Sequence, residues 1–189
     1  MKELMNQKNE FGIEGERMTT RNLLIVGAGS YSIIAYEIAQ DMGCFDKIDF
    51  IDKTKIETLT HIPILGHFSD LVSLSEEFTD IIVSIGNPDI RLNLLKRIEE
   101  ETNLKICRLI SPRAYVSKSA HVSRGCIIEP MAVVHSLCKI GRGSIISSGA
   151  VVNHESICGE GVHVNCNATV ASYANVPAKR KIDYGEVYI

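Results

Sequence analysis

Residues 151–165 read VVNHESICGEGVHVN and place His154, Glu155 and His163 inside a regular run of Val, Gly and small side chains. Imidazole titrates near neutral pH and is the usual proton acceptor in catalysis. A carboxylate beside it can fix its tautomer and stabilise the imidazolium. A nucleophile that must lose a proton as it attacks a carbonyl needs such a base, and a donor near the carbonyl oxygen would stabilise the oxyanion. The plainer reading of His154 and Glu155 is a polar pair on a solvated face. His121 and His135 read as surface or interface residues, and His61 and His67 fall in loops with no evident role.

The frame around these residues has a period of six. From residue 111 the chain reads SPRAYV SKSAHV SRGCII EPMAVV HSLCKI GRGSII SSGAVV NHESIC GEGVHV NCNATV ASYANV. The sixth position is aliphatic in all but one hexad, from Val116 to Val176, with Cys158 the exception, and the fourth is small in nearly all of them. Neither a helical nor a strand period produces this double column. A hexapeptide repeat predicts a parallel β-helix in which three hexads form one triangular coil. Such helices are the left-handed exception to the usual crossover rule. Val152, Cys158 and Val164 then point inward, while His154, Glu155 and His163 point outward. Cys126 and Cys138 also fall on inward columns and act as small hydrophobes. Cys166 is outward and is the candidate reactive thiol.

The preceding half alternates strands and helices. NLLIVGAG, KIDFID, DIIVSIG and LKICRLI read as strands. SIIAYEIAQDM and IRLNLLKRIEEET read as helices, and IPILGHFSDLVSL as a turn and a short helix. That alternation predicts a parallel sheet with both faces covered. The expected domains are a polar lead over 1–21, an α/β Rossmann-like domain over 22–108, and a left-handed β-helix over 109–189 closed by a short C-terminal cap.

Composition excludes several classes. The 189 residues are 45% hydrophobic with a net charge of -3, which favours a packed core and disfavours nucleic acid as a main partner. No apolar run approaches the roughly 20 residues of a membrane helix, and the N-terminus lacks a signal-peptide core. Six cysteines without a C-x-x-C pair suggest free thiols in the cytoplasm.

From about residue 22 to 170 the chain resembles the NeuD/PglD-like sugar O/N-acetyltransferases of the hexapeptide class. The resemblance is carried by LIVGAGSYS, FID at 50–52, IPILG at 62–66, SIGNPDIR at 84–91, ISPRAYVS at 110–117 and VVNHESICGEGVHV at 151–164. Tyr31 and Ser32 stand where the family usually has His and Gly, Lys53 where a second acid often follows Asp52, and Ser147 where an Asn is common. The resemblance implies acetyl-CoA-dependent acetylation, with no metal, of an amino or hydroxyl group on a nucleotide-activated or sialic-acid-type sugar, by a cytoplasmic homotrimer. It implies His154 as general base, Glu155 as its partner, and His163 near the acetyl thioester.

Gly27, Gly29, Ser30, Tyr31, Asp52, Gly86, Asn87 and Ser147 are the expected substrate contacts, against the simpler reading of a tight turn and a helix cap. Lys179 and Arg180 either meet coenzyme A phosphates or belong to a solvated cap. His154 and His163 are nine residues apart, half a coil, and so lie on different outer faces of one prism. An active site shared between subunits of a homotrimer would bring them together. Two further readings are a ligand-binding trimer without activity and a zinc protein of the γ-carbonic-anhydrase kind using His135, His154 and His163.

Overall fold

A computed structural model describes residues 20–54 and 62–189. The polar lead, except Thr20 and Arg21, lies outside the described residues, as does His61. The first domain holds β1 (Asn22–Val26), α1 (Ser30–Met42), β2 (Lys47–Ile51), β3 (Ile64–Gly66), α2 (Leu71–Leu74), β4 (Asp80–Val83), α3 (Pro88–Glu101) and β5 (Lys105–Ile106). The sheet is parallel in the order β3-β2-β1-β4-β5. β1 and β4 are almost wholly buried because helices cover both faces. α1 stops at Gly43, whose left-handed φ of 61° favours a residue without a Cβ. α3 starts at Asn87, whose side chain accepts from the backbone N–H groups of Asp89 and Ile90, with Pro88 in the first turn.

Two assignments differ from the sequence reading. IPILG contains the edge strand β3, too short for a period of two to be visible, with a register shift opposite Phe50 and Ile51. LKICRLI is two strands: β5 closes the first sheet, and after Cys107 and Arg108 the chain enters the solenoid.

The solenoid has three faces. The first is β6 (Leu109–Ile110), β9 (Ile127–Ile128), β12 (Ile145–Ile146), β15 (His163–Val164) and β18 (Lys181–Ile182). The second is β7 (Tyr115–Val116), β10 (Val133–Val134), β13 (Val151–Val152), β16 (Thr169–Val170) and β19 (Val187–Tyr188). The third is β8 (His121–Val122), β11 (Lys139–Ile140), β14 (Ile157–Cys158) and β17 (Asn175–Val176). Partners in neighbouring coils are 18 residues apart, as with Ile145 and His163. The inward column forms one core from Val122 through Val152, Cys158 and Val164 to Ile182. Residues 177–189, expected as a cap, continue the coil through β18 and β19, and Ile182 is fully buried.

The first face is shielded from water over its first three strands. Its outward residues Leu109, Ile127 and Ile145 are each 0% exposed, and the first two share a core with Ala35, Ile38 and Ala39 of α1. α3 lies on the corner between the third and first faces. A Cβ on Gly143 would stand 2.8 Å from Leu95 Cδ1, and one on Gly161 2.9 Å from Leu92 Cδ1, so close approach requires glycine there. Arg91 is completely buried between the domains. It donates to the carbonyls of Ile85 (2.6 Å) and Gly86 (2.8 Å) on one side, and of Gly143 (2.6 Å) and Gly161 (3.0 Å) on the other. Arg91→Ala leaves four carbonyls without their donor and is expected to cost about 3 kcal/mol or more in urea unfolding. Lys96→Ala, on the exposed side of the same helix, is expected to change stability by less than about 0.5 kcal/mol.

Candidate active site

The predicted site residues fall into three groups. His154 and Glu155 occupy the corner between the second and third faces. Glu155 has a left-handed φ of 62°, matched one coil away on each side by Leu137 (61°) and Tyr173 (64°). The corner geometry throws both side chains outward, and each remains nearly half exposed. His154 Nδ1 is 3.5 Å from Glu155 Oε1, and its Nε2 is 2.9 Å from Ser172 Oγ. A proton on Nδ1, the nitrogen facing Glu155, would leave the Nε2 lone pair to accept from the Ser172 hydroxyl. An acceptor amine or hydroxyl would replace Ser172 at that nitrogen. The Tyr173 ring packs edge-on against the imidazole at 5.3 Å. Ser172 and Tyr173 were not singled out from the sequence, although their spacing of 18 from His154 and Glu155 is the signal that finds them.

The second group surrounds His163 on the first face. His163 follows Ile145 in the outward column and sits at the rim of the first domain's cover. Burial is the main cause that pulls its pKa down to about 4, with the nearby positive charges of Arg91 and Lys181 acting the same way. Its Nε2 is 3.1 Å from Ser147 Oγ. Ser147 also donates to Glu129 Oε1 at 3.1 Å, and Glu129 Oε2 accepts from the backbone N–H and hydroxyl of Ser148. Tyr31 leans over from the glycine-rich turn. Its hydroxyl is buried beside the Glu129 carboxylate, and burial, then the charge of Glu129, hold the phenol well above its ordinary pKa. Glu129 was missed in the sequence because nothing local marks an outward residue as buried.

The third group lines a cavity of about 300 Å³ in the first domain, with walls from Val26, Gly27, Asp52, Lys53, His67 and Phe68 among others. It lies at the carboxyl ends of the strands where the order reverses between β1 and β4, the place where open α/β sheets bind ligands. Gly27 has φ 104°, and a Cβ there would meet Ile85 Cγ1 at 3.1 Å, so the turn requires glycine. Asp52 accepts from the backbone N–H of Ala28 and Thr54 and thereby ties the turn to β2. Gly29 precedes α1 with no side-chain cap, and Ser30 is exposed in the first turn. Ser32, in place of the third glycine, is buried with its hydroxyl bonded back to Gly29 O. Asn87 is occupied as the cap of α3, and Gly86 O accepts from Arg91.

Lys179 pairs with the exposed Asp89 at 2.6 Å and Arg180 with the half-buried Glu186 at 3.2 Å, so both expected phosphate contacts are engaged by carboxylates of the same chain. All six cysteines are free. Burial raises the thiols of Cys126 and Cys158 to about 12, while Cys166 is partly accessible. Among the described residues no group of three His, Cys, Asp or Glu side chains forms a metal site, and no helix is long and apolar enough to cross a membrane.

Comparisons with known proteins bear on the fold that holds these residues. The family model for the PglD N-terminal domain matches residues 22–98. The acetyltransferase domain of PglB from Neisseria gonorrhoeae FA1090, solved with acetyl coenzyme A, superposes with a TM-score of 0.84 at 28% identity, over 89% of this chain and 82% of that one. Residues 22–98 thus match the PglD N-terminal domain, and the chain as a whole is similar to sugar acetyltransferases of the NeuD/PglD kind. PerB from Caulobacter crescentus, solved with CoA and GDP-perosamine, shares the fold with a TM-score of 0.74 at 18% identity, over 89% and 88% of the two chains. WeeI from Acinetobacter baumannii AYE does so with a TM-score of 0.56 at 17% identity over the same shares. No curated protein matches. The PglD-like layout thus holds across both domains, including the solenoid that the family model leaves unmatched.

The buried imidazole has a measurable consequence. Folded His163 binds a proton less readily than the unfolded chain, with a pKa of about 4 against 6.5. Its contribution is therefore fully present above pH 6.5 and is lost as pH falls from 6.5 toward 4. His163→Gln is expected to flatten the stability profile over that interval by about 3 kcal/mol, read by urea titrations at a series of pH values.

Proposed function

We propose that this protein transfers the acetyl group of acetyl-CoA to an amino or hydroxyl group of a nucleotide-activated or sialic-acid-type sugar in the cytoplasm. The observation that carries the reading is the His154–Glu155 pair, with Nε2 2.9 Å from the Ser172 hydroxyl, in a fold matched over 89% of the chain by an acetyl-CoA-bound acetyltransferase domain. The acceptor's N–H or O–H takes the place of Ser172 at Nε2. As its lone pair attacks the thioester carbonyl, its proton passes to His154, and Glu155 stabilises the imidazolium. Collapse of the tetrahedral adduct breaks the C–S bond, and His154 returns the proton to the departing thiolate. The cavity beside Gly27, Asp52 and Lys53 suits the nucleotide part of the sugar, and the uncapped start of α1 supports the turn's backbone N–H groups facing its phosphates. Lys179 and Arg180 would meet coenzyme A phosphates by exchanging their surface carboxylates, which hold exposed cations weakly.

The working unit in this proposal is a homotrimer. His154 lies on the corner between faces two and three, and His163 lies on face one under the first domain. One chain does not present both to one thioester. The edge around His154 carries Tyr115, Leu137, Ile157 and Tyr173, all exposed, which supports burial against a second copy. His154→Ala is expected to lower acetyl transfer on the order of 100-fold, measured by thiol release from acetyl-CoA with a panel of nucleotide amino sugars and sialic acids. Unchanged turnover would remove the mechanism. Leu137→Glu is expected to convert the trimer to monomer in sedimentation velocity and to abolish transfer together with it.

A further inference from the structure

The polar column on the first face is the feature that the proposed mechanism leaves unused. Ser111, Glu129, Ser147 and Asn165 recur every 18 residues at the position following the inward aliphatic, and all four are at most 4% exposed. Buried polar groups persist only when hydrogen-bonded, and a buried carboxylate needs several donors. Glu129 accepts from three: the Ser147 hydroxyl, the Ser148 hydroxyl and the Ser148 backbone N–H.

That arrangement assigns protons. A carboxylate only accepts, so the single Ser147 hydroxyl proton points to Glu129. Ser147 Oγ is then left with lone pairs toward His163 Nε2, 3.1 Å away. Nε2 must therefore be the protonated nitrogen. Among the described residues Nδ1 closes no hydrogen bond, and it is not one of the buried polar atoms without a partner, so it is open to solvent.

We propose that Glu129 and Ser147 are positioning residues that hold His163 with its proton on Nε2 and its open Nδ1 lone pair available to accept a hydrogen bond from an N–H of a bound substrate. The proposal rests on the acetyltransferase reading for the identity of that substrate. The N–H belongs to the acceptor amine or to an amide in the arm of the acyl-CoA. Burial and the charges of Arg91 and Lys181 keep the ring neutral near pH 7, so it stays an acceptor rather than becoming a cationic donor to the thioester oxygen. The lock is set by the fold before any ligand arrives, which spares the substrate the cost of ordering the ring.

The test is the ring's own nitrogen signature. Protein labelled with ¹⁵N-histidine is examined by long-range proton–nitrogen correlation at pH 7, with the His163 signals assigned by their loss in His163→Gln. The wild-type ring is expected to show a protonated Nε2 and a bare Nδ1. In Glu129→Gln the carboxamide can donate to Ser147, which lets the relay reverse and populates the other tautomer. In Ser147→Ala the lock is gone and the two forms mix. A wild-type ring protonated on Nδ1, or a tautomer unchanged in both variants, overturns the lock, and the wild-type spectrum decides even if a variant fails to fold.

Kinetics identify the partner. Ser147→Ala is expected to raise KM about tenfold for whichever substrate supplies the N–H, the acyl-CoA or the sugar, with the other KM little changed. Unchanged KM for both overturns the acceptor role of Nδ1. A wild-type protein that shows the expected tautomer but transfers no acetyl group sinks the acetyltransferase reading and leaves the lock standing.

Discussion

A guanidinium with no carboxylate partner among the described residues stands at the junction of the two domains, and the rest of the structure is arranged around it. Arg91 gives four hydrogen bonds to backbone carbonyls, two from the loop after β4 and two from successive corners of the solenoid. A buried charge without such bonds would cost several kcal/mol, so any rotation of one domain on the other is resisted at four points at once. The same close fit demands glycine at 143 and 161, where α3 leaves no room for a side chain. The docking angle is therefore set by backbone geometry rather than by adjustable surface pairs. The ion pairs of Glu99 with Arg124 and Arg142 decorate the seam and hold it far less firmly.

Docking turns one face of the solenoid into an interior. Its outward column runs Leu109, Ile127, Ile145, His163, Lys181, from dry apolar residues to an exposed cation, and His163 sits where the cover ends. The neighbouring column of Ser111, Glu129, Ser147 and Asn165 becomes a buried polar ladder whose members satisfy one another or the backbone. The opposite edge carries no such cover, and His154 stays in contact with water. Two histidines nine residues apart thus have opposite environments. One is desolvated beside positive charge, and the other is exposed beside a carboxylate. That contrast, more than the presence of two imidazoles, makes the two rings chemically distinct.

Much of this was legible in the residues. The hexad column marks every inward position from Val116 to Val176 because each coil repeats the same local geometry, and translational symmetry writes itself into sequence. His154 and Glu155 stood out as outward residues, and Gly27 as part of a tight turn. Other features left no local trace. β3 is three residues long. The solenoid continues past Val176 through a segment with a proline and three basic residues, which obscure the period. Asn87 and Asp52 looked equally suited to a ligand, and their hydrogen bonds to the backbone of α3 and of the glycine-rich turn appear only once the turns are folded.

The sequence by itself determined the two architectures, the inward core and the list of outward polar residues, because those follow from periodicity along the chain. It did not say which outward residues meet water. Glu129, Ser147 and His163 have the same register status as many exposed residues, and their burial arises from α1, α3 and Tyr31 arriving from the other domain. Only tertiary structure decided that cover. Desolvation and the orientation of a shared hydroxyl proton depend on atoms distant in sequence, and no pattern within one hexad encodes them.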